Sequence, residues 1–235
     1  MPEFTVDGRV LEFEPGQTIM QAAHSAGVYI PHLCYHPDFA VHGSCRVCLV
    51  RVDGRFLSAC TLPVVEGMVV ENQSDVVQSY RRQLLEMLFT EGNHLCPSCE
   101  KSGACTLQSV AIFCGMLSPR LEFRYPKRPV DASHGDFVLD YNRCINCELC
   151  VRASRDVDKK SVFSMAGRGR DSHLRVNSCD GSLGQSELRL ADRAADICPV
   201  GAILPKHRGF SVAIGQRRFD LRAVDKEWET SDESA

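Results

Sequence analysis

Cys144-Ile-Asn-Cys147-Glu-Leu-Cys150 places a thiol at every third position, and Cys198-Pro199 adds a fourth far downstream. A C-x2-C-x2-C run can wrap three corners of an iron–sulfur cubane. The remote Cys-Pro pair turns the chain back to supply the last corner. A chain folded around two cubanes at this point would carry a cysteine at position 154, where Ser154 stands. It would also carry a second full triplet before the Cys-Pro pair, where only Cys179 occurs. One [4Fe-4S] cluster is therefore expected here, held by Cys144, Cys147, Cys150 and Cys198.

Working outward, the chain has 235 residues and 13 cysteines, and two more groups stand upstream. Cys34, Cys45, Cys48 and Cys60 are spaced C-x10-C-x2-C-x11-C. The C-x2-C pair sets two thiolates on one turn, and the outlying two complete the four ligands of a [2Fe-2S] cluster. A structural zinc ion uses the same four thiolates and stays open as the alternative. Gly43, just before this pair, lets the backbone approach the cluster and offer amide hydrogens to its sulfurs. His32 and His36 flank Cys34 and read as tuning groups rather than ligands.

The middle group is Asn93-His94-Leu-Cys96-Pro-Ser-Cys99-Glu-Lys-Ser-Gly-Ala-Cys105. Its three thiols leave one corner of a cubane unfilled, and His94 is the nearest candidate, with Glu91 or a non-protein ligand as alternatives. Imidazole in place of thiolate makes a site less anionic and raises its potential, as in Rieske centres. Two cysteines remain. Cys114 sits in an apolar stretch and reads as core; Cys179 sits in a polar turn and reads as a bystander.

Bulk composition narrows the function classes. Lys+Arg 27 against Asp+Glu 30 gives a net charge of −3, without the basic excess of a nucleic-acid binder. The longest apolar run, residues 110–117, is far short of the roughly 20 residues that span a bilayer. The start lacks a charged segment followed by an apolar one, and no twin arginine lies near it. A cytoplasmic protein is expected, where thiols stay reduced and clustered cysteines signal metal. No P-loop or Rossmann fingerprint is found, and Gly167-Arg-Gly-Arg170 reads as a turn, so no catalytic residue and no NAD or flavin site is assigned.

The cysteine groups divide the chain. Residues 1–76 read as an α/β unit, with Asp7-Gly8 and Asp53-Gly54 each turning a hairpin. Thr18-Ile-Met-Gln21 is a capping box that opens a short helix, which Gly27 can close. Residues 77–118 form a small helical unit. Its long helix, over 75–91, carries Val76, Val77, Tyr80, Leu84, Leu85, Leu88 and Phe89 on one face behind an N-cap at Ser74. Residues 119–135, with Pro126 and Pro129, read as a linker, and 136–209 as the third metal-binding unit. For 210–235 a hairpin over Phe210–Ile214 and Phe219–Leu221 is expected, then an acidic tail, disordered or held by a partner.

Two stretches carry a resemblance. Pro31-His-Leu-Cys34-Tyr-His-Pro and Gly43-Ser-Cys45-Arg-Val-Cys48 resemble the [2Fe-2S] domain shared by NADH–quinone oxidoreductase, iron-only hydrogenases and NAD-linked hydrogenases. That resemblance implies an α+β fold: a β-grasp [2Fe-2S] ferredoxin-like domain, a helical His(Cys)3 [4Fe-4S] domain and a ferredoxin-like [4Fe-4S] domain. It makes His94, Cys96, Cys99 and Cys105 the ligands of the middle cluster, although His94 and Cys96 are separated by one residue where relatives usually have three. Glu91-Gly-Asn-His94-Leu-Cys96-Pro-Ser-Cys99-Glu-Lys-Ser-Gly103 is most similar to the small iron–sulfur subunit on the diaphorase side of soluble NAD-reducing nickel–iron hydrogenases. The resemblance covers residues from about 1 to 205. It implies one [2Fe-2S] and two [4Fe-4S] clusters passing electrons between partner chains. Those partners are an FMN/NADH-binding diaphorase subunit, a small hydrogenase subunit and a nickel–iron large subunit. An NAD-dependent formate dehydrogenase or another NADH-linked flavoprotein complex is the alternative setting. A zinc-stabilised interaction module without redox activity is the alternative of another class.

Overall fold

A computed structural model of the chain describes residues 1–228. The N-terminal unit is a five-stranded sheet in the order β2-β1-β5-β3-β4, with β1 Glu3–Val6, β2 Arg9–Glu12, β3 Leu49–Val52, β4 Arg55–Ser58 and β5 Val69–Glu71. Both hairpins turn on a residue pair with positive φ (Asp7 49° and Gly8 82°; Asp53 49° and Gly54 77°). That backbone twist matches the right-handed twist of the strands. β1 runs parallel to β5, with Thr5 opposite Val69. Helix α1, Ile19–Ser25, opens on the expected capping box at Thr18, and Gly27 follows its last turn at φ 67°. Its buried Ile19, Met20, Ala22 and Ala23 pack with Phe4, Val6, Val50, Val52 and Val70, the inward residues of alternating strands.

Helix α2, Asp75–Glu91, leads into the middle unit. Its inner face carries Val77, Leu85 and Phe89, as the spacing predicts, but also Arg81, Glu86 and Thr90. Val76 and Tyr80 face outward instead, Tyr80 lying edge-on to Phe56 at 4.6 Å. Arg81 can be buried because its guanidinium donates to Asn72 O, Asn72 Oδ1 and Leu49 O, tying the helix to the first sheet. Glu86 accepts from Arg120 at 2.8 Å. A 3-10 turn over Cys96–Ser98 and helix α3, Thr106–Phe113, complete this unit.

The expected linker is a docked segment. Arg120 pairs with Glu86, Arg124 N–H donates to Thr90 O, and Val130–Asp131 form β6. Prolines bracket an extended stretch that a neighbouring strand can recruit, which composition alone does not register. β6 pairs with β7 (Phe137–Asp140), and β7 with β10 (Ile203–Pro205), making a three-stranded sheet. Helix α4, Leu149–Arg152, continues into a π-helical turn over Ala153–Val157. β8 (Phe163–Ala166) and β9 (His173–Val176) form a separate hairpin around the Gly167–Arg170 turn, and α5 spans Arg193–Asp196.

The expected C-terminal hairpin is not formed. Residues 211–217 contain no strand, and Arg218–Leu221 is helix α6. Phe219 N–H donates to Gly103 O, and Arg217 Nη1 to Ser102 O, so the middle unit takes the backbone bonds a second strand would have offered. Within the acidic tail, Glu227 forms a two-point pair with Arg218 at 2.6 and 2.7 Å; residues 229–235 lie outside the described residues. Among the described residues no helix is long and apolar enough to cross a membrane.

Candidate metal centres

The first set lies on the border between two packed cores. Cys48 and Cys60 belong to the core under the N-terminal sheet, while Cys34 belongs to the core shared by the rest of the chain. Cys48 Sγ stands 3.3 Å from Cys60 Sγ, and Cys45 N–H points at Cys34 Sγ over 3.5 Å. Hydrogen bonds from Cys45 and Cys60 hold the Cys34 thiol well below its ordinary range, and Cys45 is pushed correspondingly up. Arg46, inside the C-x2-C turn, has φ 60°, a left-handed conformation uncommon for such a residue. Gly43 also has a positive φ (76°), and a Cβ there would lie 2.8 Å from Thr61 Cγ2, so its role is close passage beside Cys60. His32 Nδ1 bonds Ile30 O at 2.8 Å, and His36 contacts Asp38 N and Arg193.

In the third set, Asn146 (φ 51°) and Glu148 (φ 59°) are left-handed, so the run Cys144–Cys150 coils its three thiols toward one side. They line one cavity together with Cys198, Pro199 and Leu174. Burial pushes Cys144 up to about 11 and holds Cys147 and Cys150 well above the ordinary thiol range, and neighbouring thiolates add to each. Ser154, where a second cubane would need a thiol, is fully buried and accepts from Val162 N–H at 2.7 Å.

The middle set is more open. Cys96, Cys99 and Cys105 are each half-buried; burial raises the Cys96 thiol and lifts Cys105 to about 12, and the neighbouring thiols add to both. His94 lies under Phe89, ring edge to face at 5.4 Å, and burial lowers its pKa to about 4, so the ring is neutral. Its Nε2 is shut off from solvent and has no hydrogen-bond partner among the described residues. A buried nitrogen lone pair left in that state is costly unless something accepts it. Glu91, the alternative ligand, faces solvent. Gly92 is needed here, because a Cβ would lie 2.6 Å from His94 Nε2 and 2.8 Å from Asn142 O. The sequence carries that signal only as a glycine two positions before the histidine.

These donor sets fit iron–sulfur clusters. Crowded thiols with raised pKa values are stable when a cation takes them as thiolates, with release of protons. Among the described residues no three His, Cys, Asp or Glu side chains gather tightly enough for one metal ion. A cluster instead spreads its ligands over two or four irons. Cys114 is buried at the end of α3, and Cys179 is exposed in the Ser178–Ser182 turn.

The third set stands between the other two. Thr106 N–H, next to Cys105, donates to Pro199 O, next to Cys198. A Cβ on Gly201 would come within 3.1 Å of Cys99 Sγ, and Arg143 Nη1 lies 3.6 Å from the same sulfur. On the other side, Arg152 donates to both Cys34 O and Cys147 O.

Three family descriptions match in order: a 2Fe-2S iron-sulfur cluster binding domain over residues 2–75, an NADH-ubiquinone oxidoreductase-G iron-sulfur binding region over 81–120, and a 4Fe-4S single cluster domain over 137–204. The NAD-reducing hydrogenase HoxS subunit gamma of Cupriavidus necator is 39% identical over 94% of this chain and 94% of its own length. The 78 kDa subunit of mitochondrial NADH-ubiquinone oxidoreductase from Candida albicans is 37% identical over 88% of the chain, which spans only 29% of that protein. A chain in the crystal structure of an NAD+-reducing [NiFe]-hydrogenase in the H2-reduced state superposes with a TM-score of 0.92. It is 50% identical, with 97% of this chain and 98% of that one covered.

Proposed function

The chain belongs to the family of the HoxS gamma subunit of NAD-reducing hydrogenase, and from that premise we propose that it is the electron-transfer subunit of an H2:NAD+ oxidoreductase complex. It carries one [2Fe-2S] cluster on Cys34, Cys45, Cys48 and Cys60. One [4Fe-4S] cluster is held by His94, Cys96, Cys99 and Cys105, and another by Cys144, Cys147, Cys150 and Cys198. When bound, such clusters accept and release single electrons, at potentials set by ligands, hydrogen bonds and burial.

The chain's own residues supply position and electrostatics. The left-handed turns at Arg46, Asn146 and Glu148 aim the thiols. Gly92 and Phe89 hold the neutral His94 ring with its Nε2 lone pair unused. The observation that supports the reading is that the surroundings of the third cysteine set touch both others, through Arg152 to Cys34 and through Gly201 and Pro199 to Cys99 and Thr106. An FMN/NADH-binding diaphorase subunit, a small hydrogenase subunit and a nickel–iron large subunit are the partners, in the cytoplasm. This chain has no substrate site of its own.

The test is purification of the native assembly with metal analysis. Nickel and FMN co-purifying with this chain, in a complex that reduces NAD+ with H2, is the expected result. Molybdenum without nickel would move the subunit to a formate dehydrogenase.

A further inference from the structure

Arg152 is a buried cation, 4% exposed, and among the described residues it makes no ion pair; Asp156, one turn on, feels its charge but forms its two-point pair with Arg155 instead. Its donors go to backbone carbonyls instead: Nη2 to Cys34 O and Cys147 O, Nη1 to Ala40 O at 2.9 Å, and Nε to Glu148 O at 3.3 Å. Phe39 packs its ring against the guanidinium at 5.8 Å. Carbonyl oxygens take four of its five N–H bonds but supply no negative charge to balance a cation in the interior, which is expensive unless anions lie nearby.

Two of those four carbonyls belong to proposed ligands of two different clusters. They come from segments 113 residues apart, as the numbers Cys34 and Cys147 show. Cys34 and Cys147 are also close enough that the Cys34 thiolate adds to the upward push on the Cys147 thiol. Thiolate-ligated clusters are net anionic, and each gains one more negative charge on reduction. A guanidinium fixed beside both would supply the missing counter-charge and lower the cost of adding an electron to either. One nitrogen, Nη2, donates to both carbonyls, while Nη1 and Nε anchor the plane on Ala40 O and Glu148 O, a set of four bonds that a single lysine ammonium cannot reproduce.

We propose that Arg152 is a positioning residue shared by the first and third clusters, setting their separation and raising both reduction potentials. This rests on the ligand assignment above. A wild-type complex lacking either cluster would defeat that assignment, whereas the comparison of variants tests Arg152 alone.

The test is an anaerobic redox titration of the holo-complex, followed by EPR, for wild type, Arg152→Gln and Arg152→Lys. In Arg152→Gln the reduction equilibria of the first and third clusters should each fall about tenfold, about 59 mV for a one-electron centre. The His94-bearing cluster serves as internal control and should stay in place. In Arg152→Lys both midpoints should hold, because the charge remains. The magnetic interaction between the two clusters should change, because an ammonium with three hydrogens cannot keep all four carbonyl contacts. Should Arg152→Gln fail to retain iron, the lysine variant decides alone. Unmoved midpoints in Arg152→Gln, equal shifts of all three clusters, or an unaltered magnetic interaction in Arg152→Lys would overturn the proposal.

Discussion

The middle and third ligand sets hold proposed clusters of the same size, yet they are built in opposite ways. The third is local and dry: three thiols in seven residues, coiled by Asn146 and Glu148, with Cys147, Cys150 and Cys198 buried. The middle set keeps its cysteines half-exposed and borrows its surroundings from distant chain. Arg143 and Gly201 approach Cys99, Gly209 approaches Glu100, and Arg217 and Phe219 close over Ser102–Gly103. A cluster in the third site stands in for core packing. One in the middle site sits at a junction, and the chain adjusts it through second contacts.

The largest effect should come from breaking the local site. Cys147→Ala should remove one cubane signal, lower iron from about ten to about six atoms per chain, and interrupt the path between the other two sites. It should also destabilise residues 136–209, because ligation energy is folding energy at such sites. Iron content unchanged from wild type would contradict the assignment.

The next change tests the feature that makes the middle site different. His94→Cys should keep a cubane but lower its midpoint by at least about 59 mV, a tenfold change for one electron, since a thiolate adds negative charge. An unmoved midpoint would remove His94 as a ligand. Gly92→Ala acts on the same ring indirectly. The new Cβ would need the imidazole or the Asn142 carbonyl to give way, at a cost of about 1–3 kcal/mol in thermal or denaturant unfolding. Its EPR signature should be a broadened or lost middle signal with the third intact.

The smallest effect belongs to the junction itself. A Cβ on Gly201 meets Cys99 Sγ at 3.1 Å and Arg143 Nη1 at 3.2 Å, the latter at the end of a long side chain. Gly201→Ala should cost about 1 kcal/mol and shift only the middle cluster's g-values. A shift of the third signal of similar size would mean that the two sites are less separate than their packing indicates.

The same contrast explains what could be read beforehand. Asp-Gly turns, the Thr18–Gln21 box and the 3.6-residue spacing of α2 are local signals, and the corresponding elements form where they point. Ligand spacing is local too, so the sets were visible as candidates. Arg81, Glu86 and Arg152 were not, because an isolated charge in a helix ordinarily faces water. Here Arg81 is buried by carbonyl and amide oxygens of Leu49 and Asn72, and Arg152 by carbonyls that include those of Cys34 and Ala40. The C-terminal segment departs from its local pattern for a related reason. Its apolar residues at 210–214 and 219–221 alternate well enough for a hairpin, but Gly103 and Ser102 capture Phe219 and Arg217 first.

One measurement bears most directly on the central claim that three separate ligand sets hold three iron–sulfur clusters, one with a histidine ligand. It is an anaerobic EPR redox titration of the purified complex, combined with metal analysis normalised to this chain. The expected result is three distinguishable reducible signals assigned to this chain and iron matching one [2Fe-2S] and two [4Fe-4S] clusters, with the middle signal alone responding to His94→Cys. A colourless subunit with about three zinc ions and no reducible signal would contradict it.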